Sequence, residues 1–197
     1  MLATTIAFLV MLNPFAMFVF LEPVRRSMQR ENFNKLLIRA SMNSAIIFII
    51  FYLAGDIIFT QIFQIDFEAF RIFGGIVIFS FAYLYIIKNR KTMIHVKKSI
   101  NDLAIDVSVP FMVGAGTISL AILLAEATPT APIGITLIIG VLAANYLIII
   151  GLGSIRSLFK NKTEYFDKYM DVTMRINIFL IGAIGVNMII TGITNLA

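Results

Sequence analysis

The chain has 197 residues, 59% of them hydrophobic and 14% charged, with a mean hydropathy of +0.93. A soluble domain runs nearer half apolar and a quarter charged, so this composition specifies an integral membrane protein. There is no cysteine and a single histidine, His95 in a polar loop, which excludes a disulfide framework, a thiol nucleophile and a clustered metal site.

A helix needs about 20 apolar residues to cross the hydrocarbon core. Six such runs follow one another, at roughly 2–22, 37–59, 69–87, 107–125, 133–155 and 174–195. The first is too long for a signal-peptide core and lacks a basic lead-in, so it is expected to be retained as a span. Its middle carries Asn13-Pro14-Phe15. Proline removes a backbone donor and disfavours helical torsions in the residue before it. The same pair starts a helix well, with Asn as cap and Pro as first helical residue, so two half-helices should meet at Asn13. The second span opens with Ser41, Asn43 and Ser44, and an acidic, Phe-rich turn with Asp66 and Glu68 leads to the third. Gly74-Gly75 there should admit a neighbouring helix closely. A polar segment, 89–106, joins two halves, 1–88 and 107–197. The fourth span contains Gly114-Ala115-Gly116-Thr117, a second expected break. Pro129 and Pro132 bound the turn before the fifth. Asn43, Asn145, Asn177 and Asn187 are expected as buried amides, and Tyr83, Tyr85, Tyr165 and Tyr169 as an interfacial belt.

The charges set the topology. Of 16 Lys and Arg, five fall after span one, five after span three and five around the last connection, leaving Arg71 alone on the other side. The positive-inside rule puts those three loops in the cytoplasm and both termini outside, in a multi-pass plasma-membrane protein. It also explains the net charge of +5 without invoking nucleic acid. Three spans, a connector and three more form the arrangement of a 3+3 inverted repeat with a broken first helix in each half. Pro14-Phe15 and Pro110-Phe111 occupy matching places in it.

At a helix break within the bilayer, freed amides and the positive end of the half-helix dipole make an anion site. One break alone reads as a kink in a packed span; two at matching places read as a site. Asn13, Pro14, Phe15 and Ala16 form one side, with Gly114, Ala115, Gly116, Thr117 and Ser119 on the other. Amides would take a substrate carboxylate, and the hydroxyls of Thr117 and Ser119 would add polar contacts. No Asp or Glu lies at mid-membrane depth to receive an ammonium, which leaves carbonyls of Met11, Leu12, Val113 or Gly114. Arg71 is a candidate for an external ion pair with Asp66 or Glu68, or for gating. No Ser-His, paired-carboxylate or metal constellation is available in the spans, so an enzyme is not expected and no cofactor is implied.

Leu12-Asn13-Pro14-Phe15, Ala69-Phe70-Arg71-Ile72-Phe73-Gly74-Gly75 and Pro110 to Ile118 (PFMVGAGTI), in this order and spacing, resemble the MarC family of small membrane proteins. The resemblance covers nearly the whole chain. It implies six spans and transport of small neutral amino acids such as glycine and alanine, with Na⁺ or H⁺ as candidate coupling ions. Two places depart from the family pattern: Ala115 stands where the family usually has proline, and Asn187 and Thr191 where it often has Gln and Asp. The expected function is therefore a secondary transporter of a small zwitterion, compatible with self-association. A passive pore or exporter for another metabolite and a non-transporting scaffold are the alternatives.

Overall fold

The computed structural model describes residues 1–88, 99–108, 112–158 and 163–196. Among these, all regular structure is helical: α1 Leu2–Leu12, α2 Pro14–Ser27, α3 Arg30–Ile57, a π-helical extension Ile58–Phe63, α4 Phe67–Lys88, α5 Ile100–Val107, α6 Ala115–Ala127, α7 Ala131–Leu158 and α8 Thr163–Leu196. Five segments are long and apolar enough to cross a membrane: α1 with α2, α3, α4, α7 and α8. The relative directions of the helices supply a sixth crossing. Arg39 bonds Asn101, Ser44 Oγ lies 3.4 Å from Met112 Sδ, and Tyr52 Oη lies 2.7 Å from Thr128 Oγ1. Taken together, α5 and α6 therefore accompany α3 along its length in the same direction, although neither is long enough to span alone. In α4 and α8, Glu68 meets Asn195, Gly75 meets Gly185 and Tyr85 meets Met174, so these two run antiparallel. Only an even number of crossings with α5 and α6 counted as one gives those directions.

Several elements begin earlier or end later than the apolar runs. α3 starts at Arg30 because Phe33, Leu36, Leu37 and Ala40 already bury one helical face beneath a charged first turn. α2 runs on through Pro23 to Ser27, where Arg25 and Arg26 reach back to Glu22 three and four residues earlier. α8 starts at Thr163 rather than near residue 174, held by Met170 and Met174 in the interior. Residues 100–106, assigned above to the connector, belong to α5, whose Leu103, Ala104 and Val107 are buried. The Ser99 hydroxyl accepts the Asp102 amide and caps that helix.

The core is shared by α1, α2, α3, α5, α6 and α7, joined by Met170 of α8, with Phe8, Leu21, Leu36, Phe48, Leu103, Leu124 and Ile138 near full burial. Phe8 and Phe48 pack edge to face at 4.9 Å. The pair of α4 and α8 joins it through a smaller cluster in which Phe20 of α2 meets Tyr85 at 5.3 Å and Ile178 is buried. The α4–α8 seam depends on a reciprocal glycine contact. A Cβ at Gly75 would stand 2.5 Å from the Gly185 carbonyl oxygen, and one at Gly185 would stand 2.8 Å from that of Gly75. Large apolar side chains such as Phe73, Phe79, Leu147 and Phe179 stay exposed on the outside of the bundle, the pattern of a surface solvated by lipid.

Two polar clusters close the ends. At the basic end, Glu22 accepts from Arg25 (2.6 Å), Arg26 (2.7 Å) and Arg156 (2.9 Å), while Arg156 also grips Asp167 through two bonds of 2.7 and 2.8 Å. This ties α2 to α7 and α8. At the opposite end Arg71 donates to both Glu68 oxygens at 2.9 Å, lies 5.0 Å from the Phe67 ring centroid, and shares Glu68 with Asn195 of α8.

Four amide and aromatic expectations are corrected here. Of the four asparagines expected to be buried, Asn145 is; Asn43 and Asn177 are half-buried, and Asn187 faces outward. Tyr85 is no belt residue: it is buried, with its hydroxyl 3.2 Å from Met174 Sδ. Tyr83, Tyr165 and Tyr169 are exposed. His95 and Lys97 lie outside the described residues.

Candidate functional site at the two helix breaks

At the first break the backbone of Asn13 turns left-handed, with φ 49° and ψ 68°. Asparagine tolerates that conformation far better than most side chains. Its amide closes α1 on the carbonyls of Leu9 and Val10 (3.3 and 3.1 Å). Its side-chain Oδ1 accepts the Ala16 amide at 3.1 Å, and its carbonyl accepts that of Met17 at 3.0 Å. Pro14 then stands as first residue of α2, where its missing N–H leaves nothing unsatisfied. One residue therefore ends one helix and caps the next.

The second break is built differently. Gly114 is extended (φ −133°, ψ 170°) and α6 starts at Ala115, so the irregular stretch precedes Gly114 instead of covering Gly114 to Thr117. Thr117 Oγ1 accepts the Gly114 amide at 2.9 Å and lies 2.9 Å from the Met112 carbonyl oxygen, to which it donates. This hydroxyl closes the turn and caps α6. Pro110 and Phe111, read above as part of this break, lie outside the described residues.

Between the two breaks lies a cavity of about 180 Å³. Asn13, Ala16, Gly114, Ala115, Gly116 and Thr117 all line it, as do Met11, Met17 and Met112. α4 and α8 supply the opposite wall with Ile78, Phe81 and Ile178. Gly116 is required by close approach: a Cβ there would collide with the Met11 methyl group and stand 2.6 Å from Ile78 Cδ1. Gly74 of α4 faces Ala115 just as tightly. No described lining residue is charged. The N-termini of α2 and α6 are the two breaks, so both positive dipole ends open at the cavity. Asn13 Nδ2 is buried and bonds to no protein atom. An amide donor left unpaired in an apolar interior costs about 1–3 kcal/mol, which a ligand acceptor would recover.

The other expected site residues sit elsewhere. Pro14 is buried, and half-buried Phe15 packs on the main core. Ser119 is buried one turn into α6 with its hydroxyl unpaired, off the cavity wall. Arg71 is bound up in its ion pair with Glu68 at the end of the bundle. The apolar wall of α4 and α8 was missed from sequence because Val77, Ile78 and Ile181 carry no signal separating them from lipid-facing neighbours.

A family model described as MarC family integral membrane protein matches residues 1–197. The chain belongs to the MarC family. A UPF0056 membrane protein of Pyrococcus horikoshii is 30% identical to it over 194 residues, covering 97% of this chain and 92% of the relative. No solved structure matches it. Within the MarC fold, the residues that carried the resemblance fall into two groups. Asn13, Pro14 and Gly114 to Thr117 build the breaks. Arg71, Gly74 and Gly75 set how α4 packs against α6 and α8.

Proposed function

We propose that this MarC-family chain is a secondary transporter of small neutral amino acids of the alanine and glycine kind, working by alternating access around the two breaks. The observation that carries the reading is Asn13 Nδ2, a buried donor with no protein partner, on a residue that lines a cavity onto which two helix N-termini open. Such a place suits a substrate carboxylate. A volume of about 180 Å³ is well under the roughly 300–1,000 Å³ of drug-sized sites, in keeping with a small solute. With no carboxylate on the described wall, the ammonium group is assigned to carbonyls at the C-terminal end of α1, where Met11 and Leu12 line the cavity and the dipole is negative.

The helix pairings support an inverted repeat. Exchanging α1–α2, α3 and α4 for α5–α6, α7 and α8 converts α3·α6 into α2·α7, α3·α5 into α1·α7, and α4·α6 into α2·α8. It leaves α3·α7 and α4·α8 unchanged, and every one of these pairs is in contact. The Gly75–Gly185 contact then lies on the pseudo-twofold axis. The clustering of basic residues at one end supports a plasma-membrane orientation with that end cytoplasmic and both termini outside. The apolar walls keep a second reading in view, an exporter or pore for another small metabolite.

Purified protein in liposomes is expected to take up labelled alanine or glycine with saturation and to show counterflow, with a Na⁺ or proton gradient setting the extent. Uptake equal to that of empty liposomes under every gradient would sink the amino-acid reading; uptake without saturation or counterflow would favour a pore.

A further inference from the structure

Away from the breaks, the seam between α3 and α7 carries two adjoining hollows along one face. The first, of about 230 Å³, lies at the basic end and is lined by Arg25, Arg30, Asn34, Ser154 and Ser157 over a floor that includes Phe33 and Ile149. The second, of about 400 Å³, begins one turn further along both helices, between Ile38, Met42 and Ala45 of α3 and Ile139, Leu142 and Ala143 of α7. Residues 30, 34, 38, 41 and 45 share one stripe of α3, and 157, 153, 150, 146, 142 and 139 share one stripe of α7, so the two hollows form a single track.

The first hollow has the chemistry of a phosphodiester site. The Arg25 guanidinium is held by Glu22 through two bonds of 2.6 and 2.8 Å, a carboxylate it shares with Arg26 and Arg156. Arg30 is exposed, has no carboxylate among the described residues and touches Ser154 Oγ at 3.4 Å, so it presents an unpaired positive charge at the edge of the hollow it lines. α3 begins beside it with no side-chain cap. Asn34, one turn along from Arg30, lines the same hollow, and its Oδ1 bonds to no donor. A phosphodiester next to a hydroxyl or ammonium satisfies both.

We infer that the α3–α7 seam holds one glycerophospholipid, its phosphate on Arg30, its headgroup hydroxyl or ammonium on Asn34, and an acyl chain along the apolar groove. The dimensions agree. From Asn34 to Ala45 an α-helix rises about 16 Å, close to the roughly 15 Å of hydrocarbon in one leaflet. Basic pockets between spanning helices are established places for lipid headgroups. A soluble phosphate would gain the cation and nothing from the groove.

The test is retention of lipid by full-length protein after detergent washing, measured by native mass spectrometry with phosphatidylglycerol, phosphatidylethanolamine or phosphatidylcholine added back. The first two are expected to stay bound at about one per chain, and Arg30→Gln to weaken retention roughly tenfold or more, the worth of a hydrogen bond to a charged group. Met42→Trp, which fills the groove without touching the cation, should have the same direction of effect. Lys35→Gln removes an equal charge from the same helix outside the cleft and should change nothing. Equal retention of phosphatidylcholine, equal losses in Arg30→Gln and Lys35→Gln, or displacement of the lipid by millimolar inorganic phosphate would each overturn the assignment.

Discussion

Asn13 does two jobs that substitution can separate. Its left-handed backbone and the Oδ1 bond to the Ala16 amide hold the two half-helices, while Nδ2 is buried and unpaired on a residue that lines the cavity. Asn13→Ala loses the cap, worth about 0.5–2 kcal/mol, and forces an ordinary residue into left-handed torsions at about 1–2 kcal/mol more. It should therefore unfold earlier by about 2–3 kcal/mol in a detergent denaturation series and transport poorly for that reason alone. Asn13→Gly keeps the torsions free of strain and costs the helix only a few tenths of a kcal/mol. It nevertheless removes the donor. A hydrogen bond to a carboxylate is worth about 1.5–3 kcal/mol, so KM for alanine should rise about 10- to 150-fold while the stability stays near that of the wild type. Comparing both variants by liposome uptake and by denaturation midpoint separates the two roles. Wild-type KM in Asn13→Gly would refute the donor role, and equal stability of the Gly and Ala variants would refute the argument from backbone torsion.

Gly75→Ala places a Cβ 2.5 Å from the Gly185 carbonyl oxygen, where ordinary contacts begin at 3.4 Å, so α4 and α8 must part. Gly140→Ala adds the same methyl to a helix with nothing within 4 Å. Both gain the same helix propensity, so the difference in stability between them is the overpacking cost alone, about 1–3 kcal/mol against Gly75→Ala; a difference near zero in a denaturation series would contradict the tight seam. For orientation, a cysteine replacing Gln29, in the turn from α2 to α3, should react with an impermeant maleimide only in inside-out vesicles. One replacing Pro129, between α6 and α7, should react only in intact cells, and the reverse pattern would invert the topology.

The membrane fold was legible because it rests on a one-dimensional signal: apolar runs of spanning length and the unequal division of Lys and Arg. The break at Asn13 was legible for a related reason, since cap and proline act within four residues. The limits of the helices were less so. Arg30 to Leu36 and Thr163 to Met174 are helical through faces that alternate with charge, which a count of apolar residues passes over. The capping bonds of Thr117 were not legible, because whether a hydroxyl closes its own turn depends on the local backbone. The ion cluster of Glu22, Arg156 and Asp167 joins three helices distant in sequence, and no local pattern announces it.

The pairings that fit the proposed twofold exchange also show where it fails. α1 packs closely on α6, with Met11 against Gly116, whereas the exchanged pair, α5 and α2, makes at most a marginal contact. Both α1 and α6 occupy the half of the bundle away from the basic end, and α2 and α5 occupy the basic half. Two identical halves would give identical pairings, so in the proposed carrier this difference has the form of a conformational choice: α1 packed on α6 in one half, α2 apart from α5 in the other. A carrier built from inverted repeats exchanges its two states by swapping such local arrangements between halves. In the proposed exchange the α4–α8 seam lies on the axis and is the same under the swap, so its interlocked glycines would stay packed throughout. The half-helices then supply the motion, and they pivot where the chain is already divided, at Asn13 and before Gly114. On this view the breaks are hinge and binding site at once, and the helix ends that receive the carboxylate are the ones that must move to release it.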